Sequence, residues 1–126
     1  MITIGKRLLT AALAGLILAG CASTKTPEQV HLDGALSGLI TVEELHVRRG
    51  DSGLLEVQMT GRNRLDRVIL MTYQFDWLDE DGRQVPSLMS RKTRATADRL
   101  RYFTISGVAP SEEVTDFRLY IDERAR

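Results

Sequence analysis

The chain has 126 residues, 43% hydrophobic and 27% charged, with 17 basic and 17 acidic side chains that balance to a formal net charge of zero. A chain of this length makes one domain rather than two, and the even charge balance argues against nucleic acid as a partner. Its single cysteine rules out a disulfide within the chain.

The N-terminus reads as a targeting segment. Lys6 and Arg7 precede an apolar run at residues 8–18, far short of the ~20 residues that cross a bilayer. The run ends in Leu18-Ala19-Gly20-Cys21, a branched apolar residue and two small ones before the chain's only cysteine. This is the pattern of a lipobox, with Leu18, Ala19 and Gly20 as the signal-peptidase recognition residues and Cys21 as the lipidation site. Bacterial lipoproteins with such a motif carry a diacylglycerol on the cysteine and usually an N-acyl chain. One acyl chain binds a membrane only marginally, at ~0.8 kcal/mol per buried CH₂, whereas two or more make the anchor effectively permanent. Ala22 follows where an aspartate would favour retention at the inner membrane. By analogy with enterobacterial sorting, the expected address is the outer membrane, with the body facing the periplasm.

Cleavage removes residues 1–20 and leaves 15 basic against 17 acidic residues, a net charge of −2. With Cys21 acylated, no thiol remains for chemistry or crosslinking. The next stretch, with Ser23, Thr24, Lys25, Thr26, Pro27, Glu28 and Gln29, is polar and lacks apolar periodicity. Residues 21–36 are therefore expected to be the lipidated cysteine and a flexible tether, reaching some 50 Å if fully extended at ~3.3 Å per residue. Residues 37–126 make up the folded domain.

Within that domain the pattern is one of short strands between turns. Residues 39–47 form the first, with Ile40 and Val42 alternating, before the polar turn Arg48-Arg49-Gly50-Asp51-Ser52-Gly53. Residues 54–61 follow, with Leu55, Val57 and Met59 opposed to Glu56, Gln58 and Thr60. Residues 68–78 form the strongest strand, placing Ile69, Met71, Tyr73, Phe75 and Trp77 on one face. Asp79-Glu80-Asp81-Gly82 turns the chain into residues 84–89, which Pro86 restricts to an edge. Residues 99–106 and 116–122 complete six strands, the last with Phe117, Leu119 and Ile121 on one face. The expected fold is all-β, an immunoglobulin-like antiparallel β-sandwich. Tyr73, Phe75, Trp77, Phe103 and Phe117 would form much of its core.

Two of these strands carry a family resemblance. Tyr73-Gln74-Phe75-Asp76-Trp77-Leu78-Asp79-Glu80-Asp81-Gly82 resembles the aromatic strand and glycine turn of the YcfL family of small proteobacterial lipoproteins, a domain of unknown function. Phe117-Arg118-Leu119-Tyr120-Ile121 is similar to their closing strand. The likeness spans roughly residues 36–122. It implies a β-sandwich in the cell envelope and supplies no catalytic or binding residues.

The inventory for catalysis is poor. His31 lies in the expected tether and His46 near the first strand, each more readily solvated or structural than catalytic. There is no Gly-x-Ser-x-Gly, and Ser87, Ser90 and Ser106 have no base beside them in sequence. An enzyme is not expected, nor a cofactor. Aligning Gly82 with the glycine of a calcium-binding helix–loop–helix puts Asp79 and Asp81 at ligand positions. The first and last ligand positions then fall on Trp77 and Leu88, which offer no side-chain oxygen. A plain hairpin turn accounts for the motif, and no metal site is expected.

Arg91, Lys92, Arg94, Arg99 and Arg101 form the one basic cluster. The plain account is a solvated edge guarded against strand pairing. The functional one is a contact surface for an anion or a protein partner, with Tyr102 and Tyr120 on outward faces nearby. The expected function is non-catalytic: a lipid-anchored sandwich that docks on an envelope protein. The alternative is a binding module for an anionic envelope ligand such as lipopolysaccharide or peptidoglycan.

Overall fold

The computed structural model describes residues 26–88 and 90–124. The signal segment, the lipobox and Cys21 lie outside the described residues, as does Met89 at the end of the expected fourth strand. The described chain contains eight strands: β1 (Val30–Leu32), β2 (Ile40–Arg49), β3 (Leu55–Asn63), β4 (Ile69–Leu78), β5 (Gln84–Val85), β6 (Thr93–Ala97), β7 (Tyr102–Val108) and β8 (Asp116–Glu123). They form two sheets, a five-stranded one ordered β1-β8-β4-β5 with β6 also on β4, and a three-stranded one ordered β2-β3-β7. The fold is the expected all-β sandwich.

Period-two alternation builds the core. In β4 the odd residues Ile69, Met71, Phe75 and Trp77 are buried, and in β8 Phe117, Leu119 and Ile121 are. Leu55, Val57 and Met59 of β3 and Ile105 of β7 face them from the other sheet. The Phe75 and Trp77 rings stack with centroids 4.9 Å apart and planes 4° from parallel. Phe117 packs against both, at 6.1 and 6.3 Å. Tyr73 and Phe103, expected in this core, are only half-buried at its margin.

Two glycines make room for the aromatic rings. A Cβ on Gly61 would lie 2.5 Å from the Phe103 ring, and one on Gly107 would lie 2.7 Å from the Phe75 ring. Each position therefore leaves a hole in its strand, filled at Gly61 by a ring from the adjoining β7 and at Gly107 by a ring from β4 of the facing sheet.

In β2 the register against β3 shifts between Val42 and Glu44. The extra residue reverses the parity of the strand. Ile40 and Val42 point inward before the bulge, and Leu45, Val47 and Arg49 do so after it. Arg49 thus reaches across the end of the sandwich, its guanidinium donating to the Gly53, Glu112 and Val114 carbonyls at 2.7, 3.3 and 2.9 Å.

Four expectations are corrected. Residues 30–36 are not tether: Val30 and Leu36 are buried, and β1 pairs with β8 through Val30↔Leu119 and Leu32↔Ile121. That pairing is parallel, so the sandwich is antiparallel in every other ladder but not in this one. The strand placed at residues 99–106 runs instead from Tyr102 to Val108. The chain at 98–101 is a loop in which Leu100 adopts φ 56°. The strand expected at residues 84–89 shrinks to Gln84–Val85, stopping before Pro86, and β6 takes over the edge of β4 beyond it.

Candidate functional site

Strand directions give the sandwich two chemically different ends. One end gathers Asp79, Glu80, Asp81, Glu112 and Glu113 around a surface hollow. The chain enters at this end, where Glu28 and Gln29 lie beside Leu78, Asp116 and Phe117. The opposite end holds the β3–β4 loop (residues 64–68) and the β6–β7 loop (residues 98–101), which carry Arg64, Arg67, Arg99 and Arg101.

Asn63 builds that basic end. It is the one buried polar side chain among the described residues, at 0% exposure. Its Nδ2 donates to the carbonyls of Arg67, Ala97 and Asp98 at 2.8, 3.2 and 3.0 Å. Its Oδ1 accepts from the Leu65 N–H at 2.9 Å, and its backbone N–H donates to the Arg101 carbonyl at 2.9 Å. A single amide therefore clamps both loops, and the Leu100 N–H closes them together by donating to the Leu65 carbonyl at 2.9 Å.

The clamp holds the β6–β7 loop in an unusual shape. Leu100 sits in the left-handed region, where a side chain costs ~1–2 kcal/mol, yet its side chain gains little burial, being 51% exposed. Arg99 and Arg101 flank it, and Tyr102 beside them is 62% exposed. These four residues line one surface hollow. Arg62 completes the patch, its guanidinium 5.3 Å from the centre of the Tyr102 ring. Arg99 reaches Asp66 only at 4.0 Å.

The five basic residues read together in sequence are split in space. Arg99 and Arg101 belong to the patch. Arg94 stands opposite Thr72 on the outer face of β4, three residues of extended chain or ~10 Å before the end of β6 and the loop of Arg99, and Arg91 and Lys92 lie farther along still. Among the described residues, Arg91, Lys92, Arg94 and Arg101 form no ion pair. Asn63 and the conformation of Leu100, which create the patch, leave no mark in the sequence beyond the turn preference of asparagine.

The other singled-out residues have local roles. One Asp79 carboxylate oxygen accepts from the Asp81 and Arg83 N–H groups, each at 2.9 Å, and Gly82 takes φ 78°. The Asp79-Gly82 motif is thus a hairpin turn with its own internal acceptor. His31 stacks on Tyr120 at 4.9 Å on the outer face of the larger sheet. His46 meets Glu44 at 2.6 Å on the outer face of the smaller one.

A two-sheet β-sandwich with a clamped basic end and an acidic end where the chain enters is the class of protein defined so far. The chain belongs to the family described as protein of unknown function DUF1425, whose family model matches residues 28–123. That match begins just ahead of β1 and ends with β8. Among solved structures, the chain is similar to Campylobacter jejuni cj0090, with a TM-score of 0.67 and 24% identity over 78% of this chain and all of that one. It is also similar to a DUF1425 family member from Shewanella sp. pv-4, with a TM-score of 0.62 and 16% identity over 69% of this chain and 80% of that one. These likenesses carry the fold. No curated protein matches the chain.

Proposed function

We propose that the chain is a YcfL-type lipoprotein of this family, held at the outer membrane through acyl chains on Cys21, whose sandwich docks on an envelope protein. It acts by binding rather than catalysis. The observation that carries the docking is Leu100. A leucine in the left-handed region, flanked by two arginines and next to a solvent-facing tyrosine, costs the fold energy without improving the core. Arginine with exposed aromatic and aliphatic side chains is the composition of a protein-contact surface. The patch also lies at the end of the sandwich opposite the entry of the chain from Cys21, so a membrane-anchored domain presents it away from the bilayer. The strand at Val30–Leu32 shortens the reach. From Cys21 to Gln29 the chain spans at most about 30 Å.

The test is crosslinking in intact cells followed by purification that preserves the anchor. Leu100→Gly should fold as well as wild type, because relief of ~1–2 kcal/mol of backbone strain offsets the ~0.5–1 kcal/mol conformational-entropy cost of glycine. It should also lose the crosslinked partner. Recovery of no specific protein by wild type, or an unchanged partner with Leu100→Gly, overturns the docking. Cys21→Ser should release the protein from membranes, and unchanged membrane retention overturns the anchor.

The unpaired Arg91, Lys92, Arg94 and Arg101 favour a second reading, binding of an anionic envelope ligand such as lipopolysaccharide or peptidoglycan. Reversing the charges of Arg91, Lys92 and Arg94 should then abolish sedimentation with purified cell wall or lipopolysaccharide, and added salt should weaken the wild-type interaction.

A further inference from the structure

The two long edges of the smaller sheet are finished differently. The β2 edge carries Glu43, Glu44, His46, Arg48 and Arg49 and a bulge, the usual protection against pairing with another chain. The β7 edge, Tyr102-Phe103-Thr104-Ile105-Ser106-Gly107-Val108, has no charge, no proline and an unbroken register against β3. The Asn63 N–H donates to the Arg101 carbonyl and the Ala109 N–H to the Leu55 carbonyl. In an antiparallel ladder this makes the odd residues of β7 the ones bonded to β3. The N–H and C=O groups of Tyr102, Thr104, Ser106 and Val108 therefore point away from β3, out of the sheet. All four residues are exposed, Tyr102 at 62% and Val108 at 57%.

From this edge we infer that β7 pairs antiparallel with β7 of a second copy, joining two three-stranded sheets into one of six strands. The outward-pointing groups restrict the pairing to registers that set even residues opposite even residues. The register that uses the whole strand centres on Ile105, setting Tyr102 opposite Val108 and Thr104 opposite Ser106 of the copy. It forms about eight backbone hydrogen bonds, two per bonded pair. The side chains fit this register. Two of the exposed large apolar residues, Tyr102 and Val108, cover each other at both ends. Thr104 and Ser106 can share a hydrogen bond across the strands. On the inner face Phe103 falls opposite Gly107 of the copy, and its ring leans away from the new seam, over Gly61 of its own β3.

Charge supports the same partner. Antiparallel pairing runs the two molecules in opposite directions, so the loop with Arg99 and Arg101 lies alongside the loop with Glu112 and Glu113 of the copy. The contact repeats on both sides of the two-fold axis, as a closed isologous dimer requires. A neutral edge flanked by a basic loop at one end and an acidic loop at the other is complementary to itself in this orientation. This pairing draws on Arg99, Arg101 and Tyr102, which also border the docking surface at Leu100, so the lysine variants below read the pairing and Leu100→Gly reads the docking.

The test uses the full chain in detergent. Light scattering should give twice the chain mass for wild type, and the chain mass for both Thr104→Lys and Ser106→Lys. Their side chains point to solvent, so each variant should keep the wild-type circular dichroism and Tm. In cells, a tagged copy with Thr104→Cys and a differently tagged copy with Ser106→Cys should form a mixed disulfide on oxidation, since bonded antiparallel pairs hold Cα atoms ~5.5 Å apart. Gln58→Cys on β3, one strand in from the edge, should give none above the background of the wild-type chain with Cys21 alone. Wild type at the chain mass at tens of micromolar, or a dimer unaffected by both lysines, overturns the pairing. So does a mixed disulfide no stronger than that of Gln58→Cys.

Discussion

Asn63→Leu should lower the unfolding free energy by about 3–5 kcal/mol. The substitution removes the Nδ2 donor from the carbonyls of Arg67, Ala97 and Asp98 and the Oδ1 acceptor from the Leu65 N–H. Nδ2 has two hydrogens for three acceptors, so at least one bond is shared. Each buried backbone group left without a partner costs about 1–3 kcal/mol, and water at the loop surface recovers part of that sum. Leucine matches the volume but supplies neither donor nor acceptor. For a domain of this size the loss lowers Tm by about 15–30 °C. The two clamped loops should also lose amide exchange protection ahead of β4 and β8. A change below about 1 kcal/mol would mean that water replaces the amide in full, and that the clamp is not what shapes the loop of Leu100.

Gly107→Ala should cost about 2–3 kcal/mol, in the upper part of the usual overpacking range, whereas Gly61→Ala should cost less although the clash there is closer. The difference lies in what must move. At Gly107 the new Cβ meets the Phe75 ring at 2.7 Å. That ring is stacked on Trp77 and packed against Phe117, so displacing it disturbs the centre of the core. At Gly61 the obstacle is the far end of Phe103 at 2.5 Å, a half-buried ring at the core margin that can swing outward. Urea titration of the two variants side by side measures the order, and Gly61→Ala the more damaging would refute the account.

The sequence made the sandwich legible wherever one face of a strand carried large apolar residues. The strands at Ile69–Leu78, Leu55–Asn63 and Asp116–Glu123 follow the alternation of their odd residues almost to the residue. Strands without that signal were missed. β6 reads Thr-Arg-Ala-Thr-Ala and turns only alanines inward, against Met71 and Ile69, so no hydrophobic period marks it. β1 is three residues long, too short to show a period, and follows a polar stretch that reads as linker. The start of β7 was misplaced because Arg-Leu-Arg-Tyr alternates like a strand, whereas the positive φ of Leu100 breaks it. The basic patch was legible only in part. Linear spacing grouped Arg91, Lys92 and Arg94 with Arg99 and Arg101, and the length of β6 separates them. Asn63 escaped notice because its four side-chain bonds depend on where three distant segments meet.

The parallel pairing of β1 with β8 has a mechanical side. If the chain is tethered through Cys21 and held by a partner at the basic end, tension enters at residue 29 and runs along the strand axis. β1 is then pulled lengthwise past β8, and the bonds between them share the load in shear instead of parting one at a time like a zipper. Three residues make a weak latch, so β1 is the element that yields first, and its release would lengthen the linker before the rest of the sandwich feels the force.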